Sequence, residues 1–382
     1  MRDAGLMSLP EARRGSPPAR GARARVRPLA DGDLPGVLAL YERVFPNRPG
    51  RSPRETAGYF ETILLRNPWA DATLPSLVLE DGAGRVTGCL GVMPRRMWMG
   101  GRPVRAVVTH TFMVEPGSRA GLSALDLAGA LLATRQDLLI AEGGLPSRLI
   151  LERLGGSTAL LYSLRWTRPL RPSRYLLSYL TRRGLPAVLS WPLRPACAAA
   201  DAVLPLVLGG SLRPARSWMT SEDLDLDVLL QAMSESSSQR TLRPEYDRAS
   251  LAWLLDLLAT RTDRGRFLRV AVRDDRGDLA GWYLYYLNPG GISEVVQIGA
   301  RKHSMGSVLD HLFQHARRGG SAAVSGQLEP DEFQAFAAHG CVFHHDGLSW
   351  FLIHSPHPDV AAAIHRGDAR LTRLEGEWCI RP

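Results

Sequence analysis

The sequence predicts a mixed α/β protein of two tandem modules, each with a mostly antiparallel central sheet flanked by helices. Its 382 residues exceed what one hydrophobic core normally serves, and 45% hydrophobic with 22% charged residues is typical of globular proteins. Strand-like and helix-like segments do not follow a uniform βαβ repeat, which favours mixed layers. One order of segments occurs twice along the chain, and this repetition predicts two copies of one fold.

The first module is predicted over residues 26–170. Apolar residues at helical spacing indicate its helices, and runs rich in β-branched and aromatic residues indicate its strands. Turns at 81–84 and 100–102 join three of the strands into an antiparallel meander. The predicted strands are 26–29, 76–81, 85–101, 105–116, 137–144 and 159–170, and the predicted helices are 30–45, 56–69, 122–133 and 146–156.

The second module is predicted over residues 217–382. Its segments follow the order of the first module although few residues match, so the repeat is one of fold rather than of sequence. The predicted helices are 221–233, 247–260, 306–320 and 330–340, and the predicted strands are 266–274, 279–289, 292–300, 322–328 and 348–355.

Two stretches lie outside the modules. Residues 1–25 are basic and lack the apolar run of a secretory signal, so we expect a disordered tail. Residues 171–216 are rich in proline and arginine and predict a helical linker. Prolines and charges interrupt its apolar part, 185–210, which is therefore expected to dock on the modules or make a peripheral contact with a membrane surface rather than span one.

The net charge and the spacing of the cysteines indicate which partners and cofactors to expect. The formal net charge is +9, and Lys302 is the only lysine among 47 basic residues. A GC-rich genome produces such an arginine excess, whereas the functional interpretation is an anionic partner: a phosphorylated cofactor, a nucleic acid or an acidic lipid surface. The cysteines show neither CxxC spacing nor neighbouring histidines, which predicts reduced thiols of a cytoplasmic protein and no metal site. They are Cys89, Cys197, Cys341 and Cys379.

A glycine-containing turn leads into the helix predicted at 122–133. The first amides of a helix have no intrahelical partner and carry partial positive charge, so such a turn can hold a diphosphate. In the segment from Val114 to Ala124, Gly121 allows close approach of the backbone, Arg119 adds charge, and Ser123 adds a hydroxyl donor. The alternative is an ordinary helix start on a scaffold that binds no cofactor.

These segments together resemble the GNAT superfamily of N-acyltransferases. VRPLADGDLPGVLALYERVF resembles its first strand and helix, LVLEDGAGRVTGCLGV its second and third strands, and THTFMVEPGSRAGLSALDLAGALL its fourth strand, diphosphate loop and following helix. The resemblance is strong over 26–170 and rests on layout alone over 217–355. It implies two tandem GNAT-like folds and acetyl-CoA or another acyl-CoA as co-substrate, without a metal. The implied cofactor-binding residues are Phe112, Met113, Val114, Arg119, Ala120, Gly121, Leu122, Ser123 and Ala124.

The loop departs from the family pattern in both modules. Counted from Arg119, Leu122 stands where the family has glycine, while Ala124 fits the last position. In the second module, counting from Arg301 places Ser304 and Gly306 at the two glycine positions, again half a match. We interpret the second module as degenerate, without cofactor binding.

Four side chains are candidates for the chemistry of such an enzyme. Direct attack on a thioester needs a base for the nucleophile's proton and an acid for the leaving thiolate. His110 and Glu115 on the fourth strand and Glu142 at the end of the fifth are candidate bases; His110 equally suits a core histidine and Glu142 a surface acid. The family's usual tyrosine acid falls at Leu151 and its asparagine at Gly144, which leaves Tyr162 as a possible substitute or a core aromatic.

The favoured function is transfer of an acyl group from acyl-CoA to the amine of a small molecule or sugar. One alternative is an aminoacyl or peptidyl transferase resembling the Fem-type tandem GNAT proteins, in which the arginines contact tRNA. No coiled-coil arm or strip of aromatic and basic residues supports it, so a nucleic-acid partner is not expected. The other alternative is a catalytically silent binding or scaffold protein, favoured by the missing tyrosine.

Overall fold

The computed structural model describes residues 24–46, 52–117, 120–182, 184–207 and 217–381. The predicted disordered tail lies outside these residues except for its last two. The strands are β1 (Arg25–Pro28), β2 (Leu77–Glu80), β3 (Val86–Met99), β4 (Arg102–Val114), β5 (Leu138–Gly143), β6 (Ser157–Thr158), β7 (Arg165–Pro169), β8 (Thr220–Asp223), β9 (Leu242–Pro244), β10 (Arg266–Arg273), β11 (Leu279–Leu287), β12 (Ile292–Ala300), β13 (Ala323–Gln327), β14 (Val342–His344) and β15 (Trp350–His354). The helices are α1 (Leu34–Val44), α2 (Pro53–Leu64), α3 (Ala120–Leu132), α4 (Leu145–Arg153), α5 (Leu160–Ser163), α6 (Pro172–Arg182), α7 (Ala187–Val207), α8 (Leu226–Ser237), α9 (Arg248–Ala259), α10 (Met305–Arg318), α11 (Phe333–Ala338) and α12 (Pro358–His365).

Two separate sheets confirm the predicted fold class. The first sheet has the order β1-β2-β3-β4-β5-β15-β6, with β9 added to β3, and the second has the order β14-β7-β13-β12-β11-β10-β8. Each is antiparallel except at one place, β4 beside β5 in the first and β12 beside β13 in the second. The meander predicted for β2, β3 and β4 is confirmed.

The two halves of the chain exchange one strand each. β15 lies between β5 and β6 in the first sheet, whereas β7 lies between β13 and β14 in the second. Each sheet is therefore completed by a strand from the other half of the chain. The predicted boundaries at 170 and 217 stay a prediction, but neither sheet is built from one side of them.

Three predictions about single segments are wrong. The strand predicted over 159–170 is a short helix, α5, followed by β7, because the chain turns here from the first sheet into the second. The strand predicted over 348–355 belongs to the first sheet, not to the second module's own. The helix predicted from residue 221 begins at Leu226, after a strand at 220–223 and an Asp225 cap that accepts the amide of Asp227.

One large core joins the two modules. It lies between the first sheet and helices α1, α2, α8, α9 and α12, and it includes the second sheet's Trp282 and Tyr286. A second core lies between the other face of the second sheet and α10, and a third between the other face of the first sheet and α3. Residues 368–381, here called the C-terminal segment, place Leu371, Leu374 and Ile380 in the shared core. Because that segment packs between the modules, it contacts both sites described below.

Candidate functional site

The parallel pair in the first sheet opens into a wedge. β4 and β5 pair through hydrogen bonds over Ala106–Val108 and Leu138–Ile140. Both strands continue past this register, β4 beside β3 and β5 beside β15, and their facing edges separate. We call the space between residues 109–114 and 141–143 the first wedge. Strand edges of this kind offer amide and carbonyl groups to an extended ligand.

A β-bulge in β4 lies beside the first wedge. The register with β3 shifts between Cys89 and Gly91, so that one residue of β3 faces two residues of β4. Thr111 has φ 53°, a left-handed conformation that β-branched residues rarely adopt. Such strain concentrates at functional sites, and a bulge redirects the backbone groups of its strand. The backbone of residues 111–113 is therefore turned relative to the rest of β4.

His110 is enclosed behind the bulge. Its side chain is 1% exposed, and a Cβ at Gly91 would lie 2.6 Å from its Nδ1, so only glycine leaves the ring its space. Nδ1 lies 3.0 Å from Thr111 Oγ1, while Nε2 is buried without a hydrogen-bond partner among the residues described. Burial, aided by the charge of Arg95, lowers the pKa of His110 to about 3. A neutral, enclosed imidazole suits the core interpretation better than that of general base.

Helix α3 begins just after β4, beyond Glu115. Arg119, a predicted cofactor-binding residue, lies outside the described residues. Gly121 and Leu122 are exposed in the first turn of α3, and a Cβ added at Gly121 would meet no atom within 4 Å. Ala124 is buried, whereas Ala120 and Ser123 are partly exposed. The amide-bearing end of α3 is therefore uncovered by described side chains.

The three predicted cofactor-binding residues on β4 lie along the first wedge. Met113 packs in the shared core, and Phe112 and Val114 pack against the cluster under α3. Their side chains thus anchor the strand on both faces. The predicted contribution of these residues to a ligand would come from their backbone.

Glu142 lies at the other edge of the first wedge, near the end of β5. Its Oε1 accepts a hydrogen bond of 3.3 Å from the backbone amide of Trp378 in the C-terminal segment. The surrounding protein raises the pKa of this partly buried carboxyl by desolvation, against the opposing charges of Arg381, Arg373 and Arg165. A carboxylate with a raised pKa at a strand end is a suitable proton acceptor.

An arginine cluster adjoins Glu142. Glu294 of β12 accepts from Arg165 at 3.1 Å and from Arg264 at 3.3 Å, and burial opposed by the charges of Arg373, Arg165 and Arg264 leaves the pKa of Glu294 at about 2. Trp378 lies among these groups, with the guanidinium of Arg264 3.8 Å and that of Arg373 4.4 Å from its ring centroid. The cluster fixes the tryptophan whose amide contacts Glu142.

The second sheet has an equivalent wedge, and the chain itself fills it. β12 pairs with β13 over three residues only before they separate, and β12 also carries a bulge. Arg370 donates to the carbonyl of Ile298 at 2.7 Å, and Arg373 donates to that of Val295 at 2.8 Å. In the first wedge, by contrast, no side-chain donor in the described ranges contacts the carbonyls of residues 109–114.

Comparisons with known proteins agree with this geometry. The sequence matches no family model, and no curated protein matches it.

Solved structures of similar fold were found. A protein of Enterococcus faecalis described as a probable N-acyltransferase has 12% identity and a TM-score of 0.57, and the match covers 87% of this chain and 72% of that protein. A GCN5-related N-acetyltransferase of Kribbella flavida has 14% identity and a TM-score of 0.54, and covers 87% of this chain and 71% of its own. The chain has the GNAT fold. The N-myristoyltransferase of Saccharomyces cerevisiae, solved with bound myristoyl-CoA and inhibitors, has 12% identity and a TM-score of 0.51, and covers 93% of this chain and 88% of its own.

A groove of about 900 Å³ lies between the helices that precede the two central sheets of this GNAT fold. Helices α1 and α2 form one side, and α9 with residues 260–264 forms the other. Arg264 connects the groove to the wedge, because it lines the groove and also stacks on Trp378, which contacts Glu142. The lining includes the aromatic residues Tyr41, Phe45, Tyr59 and Trp253.

The acidic residues of the groove favour a cationic ligand. Glu42 and Asp256 line it without an ion-pair partner in the described part of the chain, and one lining cation, Arg381, acts on Glu142 through its charge. Arg261, which also lines it, pairs with Asp263 at 3.2 Å, and Arg264 pairs with Glu294. A primary amine carries positive charge at neutral pH, and a pocket that combines carboxylates with aromatic rings suits such a group.

Two predicted catalytic residues have structural contacts instead. Glu115 pairs with Arg43 and Arg85, each at 3.0 Å, which directs it towards α1 and the β2–β3 turn. Tyr162 was expected on a strand and lies in α5, 3% exposed, where its hydroxyl donates to the carbonyl of Ala369 at 2.7 Å. Burial raises the pKa of Tyr162. Neither contact suits a group that exchanges protons with substrate.

Sequence reasoning missed Trp378, Arg373 and Arg264. None of them belongs to a spaced motif, and each acquires its place through the fold of the C-terminal segment or the turn before β10. The available signal is apolar spacing in that segment, with Leu371, Leu374 and Trp378 separated by three and four residues, which indicates burial rather than a solvated end.

Tyr162→Phe is expected to destabilise the protein by about 1–2 kcal/mol, because the carbonyl of Ala369 loses its donor and the amide of Ala369 its acceptor, while the ring keeps its contact with Phe351. Urea unfolding followed by circular dichroism measures this difference. Turnover per folded molecule is expected to stay unchanged. A variant that folds normally but has lost turnover would return Tyr162 to the reaction.

Proposed function

We propose that this protein is an acyl-CoA-dependent N-acyltransferase with a single donor site in the first wedge. The observation that carries the proposal is the difference between the two wedges: Arg370 and Arg373 donate to carbonyls of the second, while no side-chain donor in the described ranges contacts the carbonyls of residues 109–114 in the first. The likeness to N-acetyltransferase and N-myristoyltransferase folds supports it. The second module then contributes a wall of the acceptor groove rather than a second donor site.

The donor would bind along β4 and α3. Its diphosphate would accept hydrogen bonds from the first amides of α3, where the helix dipole favours negative charge. Its pantetheine arm would lie along the edge of residues 112–114, and its thioester carbonyl beside the redirected backbone of Thr111. Backbone amides at that position would stabilise the oxyanion that forms during attack. Acetyl-CoA is the simplest donor with these parts.

The acceptor amine would enter from the groove. The bound ammonium group would first lose one proton to water, which leaves a neutral amine. Glu142 would take a second proton from the amine nitrogen as that nitrogen forms a bond to the thioester carbon. The tetrahedral intermediate would then expel the thiolate of CoA, leaving an amide product. The family's acid position is occupied by buried Leu151, and Tyr162 is engaged elsewhere. Because a thiol has an ordinary pKa near 8.5, its thiolate would leave without a dedicated acid and take a proton from water.

Calorimetric titration with acetyl-CoA and with longer acyl-CoA tests the donor site. One site per chain is expected. Gly121→Asp is expected to weaken binding about tenfold or more, because it adds a carboxylate at the helix end proposed for the diphosphate. Gly129→Asp is the matched control: it lies on the same helix, and a Cβ there likewise meets no atom within 4 Å, so binding should be unchanged.

Three outcomes would contradict this proposal. Absence of binding by any acyl-CoA would favour the silent scaffold, and equal weakening by both glycine variants would remove the site from α3. Two equivalent sites per chain would contradict a filled second wedge. A salt-sensitive complex with tRNA would instead favour the Fem-type alternative.

A further inference from the structure

Helices α6 and α7 form a hairpin. Along the chain it follows β7 and precedes β8. Ser173 and Arg174 at the start of α6 donate their backbone amides to Asp201 of α7, at 2.7 and 3.2 Å. Arg171 attaches the hairpin to the second module by donating to the carbonyls of Gly320 and Arg317. No helix in the described ranges is long and apolar enough to cross a membrane. The hairpin's surface therefore needs an explanation other than a membrane span.

The surface of this hairpin is apolar where a soluble helix is usually polar. On α6, Leu176, Tyr179 and Leu180 are 56%, 40% and 44% exposed at a spacing that places them on one face. On α7, the exposed residues that the structure describes are apolar apart from Arg194, and we call them the apolar stripe. They are Val188, Pro192, Leu193, Pro195, Ala196, Ala199, Ala202 and Val203. Val188 is 83% exposed and Val203 is 53% exposed, so this stripe is uncovered by the described chain.

The hairpin is rich in arginine and poor in carboxylates. Residues 171–207 contain five arginines and one acidic residue, Asp201. Asp201 is only 6% exposed, because it caps the start of α6. Arg194, in contrast, is exposed on α7 beside the apolar stripe. A ligand of this surface therefore meets apolar side chains and positive charge, with the only carboxylate turned inward.

We propose that the α6–α7 hairpin binds the surface of a lipid bilayer that contains anionic lipids, with its apolar stripe at the level of the acyl chains. Exposed apolar residues flanked by arginines are the combination that anchors interfacial helices. A second copy of the chain fits less well, since a symmetric contact between two such faces would bury Arg194 of both copies while the hairpin's carboxylate, Asp201, is turned inward. No residue of the hairpin belongs to the first wedge or lines the groove, so the membrane proposal does not rest on the proposed acyl transfer.

Sedimentation of the full-length protein with vesicles tests this proposal. Vesicles of phosphatidylcholine with roughly a third phosphatidylglycerol are expected to bind the protein, and vesicles of phosphatidylcholine alone to bind it at least about tenfold more weakly. Raising the salt concentration should weaken binding to the anionic vesicles. The triple variant Leu176→Ser, Leu180→Ser, Val203→Ser and the variant Arg194→Glu should each lower the bound fraction about tenfold or more.

Matched variants elsewhere on the surface distinguish vesicle binding by the hairpin from non-specific adsorption of the protein to vesicles. Val342→Ser with Leu348→Ser removes side chains that are 59% and 76% exposed, and Arg276→Glu reverses an exposed charge; both should bind vesicles like the unmodified protein. Thermal unfolding checks that each variant folds. Failure of the unmodified protein to bind anionic vesicles overturns the proposal, as does equal loss in the control variants. A dimer in sedimentation velocity that the triple variant abolishes would assign the face to self-association instead.

Discussion

Glu142→Gln is expected to lower kcat by about 100-fold or more while leaving the affinity for acyl-CoA unchanged. General-base catalysis contributes roughly 10²–10⁴-fold to such reactions, and glutamine keeps the shape and the hydrogen bond from Trp378 but cannot take the proton. Release of the CoA thiol from acetyl-CoA in the presence of a panel of primary amines measures turnover, and calorimetry measures donor binding. The two readouts distinguish lost chemistry from a lost site.

The pH dependence supplies a second readout for Glu142. Because the protein raises its pKa above the ordinary 4.5, the acid side of the rate profile should rise at a pH above that value as the carboxylate forms. Glu142→Gln should lack this rise. The matched control is Glu152→Gln on α4, where the carboxylate accepts from Arg148 and Thr158 and should not affect the rate. Full turnover in Glu142→Gln, with the donor bound, would mean that another group accepts the proton.

The sequence predicts element order well because periodicity records which face of each segment is buried. Apolar spacing in α1, α3 and α10 and apolar runs in β10, β11 and β12 correctly place these elements. Periodicity carries no information on which strand is the neighbour. β7 and β15 would have the same pattern in either sheet, so their exchange follows from tertiary packing that a local pattern does not encode.

Only those features of the candidate site that depend on residues close together in the sequence could be predicted. Glu142 was a candidate because it stands between a strand end and Gly143-Gly144, where a carboxylate can face the cleft, with a surface acid as the alternative. Burial raises its pKa, and the opposing charges of Arg373 and Arg381 belong to a segment more than 200 positions later, whose arginines at 370, 373 and 381 suggest a solvated end. The bulge at Thr111 lacks the glycine that usually signals a left-handed residue. Long-range burial therefore decides the chemistry of this site.

Burial of the C-terminal segment also explains why one wedge is filled and the other is not. Its first half passes the second wedge, where Arg370 and Arg373 donate to strand carbonyls, and its second half packs against β4 and β5, where the amide of Trp378 donates to Glu142. The same segment thus contacts the carbonyls of the second wedge and the carboxylate of Glu142 beside the first. Arg373 takes part in both, because it also contacts the ring of Trp378.

Loss of the Glu294 charge should destabilise this arrangement by about 3 kcal/mol. The folded protein lowers the pKa of Glu294 from 4.5 to about 2, a difference that corresponds to about 3 kcal/mol. A depressed pKa means that the stabilisation is fully present above pH 4.5 and is lost as the pH falls through the folded value near 2. Glu294→Gln leaves Arg165, Arg264 and Arg373 without their shared counter-charge at every pH.

The pH series makes this expectation specific to Glu294. Urea unfolding at neutral pH should give the full difference between unmodified protein and Glu294→Gln, and the difference should shrink between about pH 5 and pH 2, as Glu294 becomes protonated in the unmodified protein. Glu222→Gln is the control, since its ion pair with Arg273 is largely exposed and should contribute at most about 0.5 kcal/mol. A constant difference across the series would mean that glutamine disturbs packing alone, and the electrostatic account of the cluster would then be wrong.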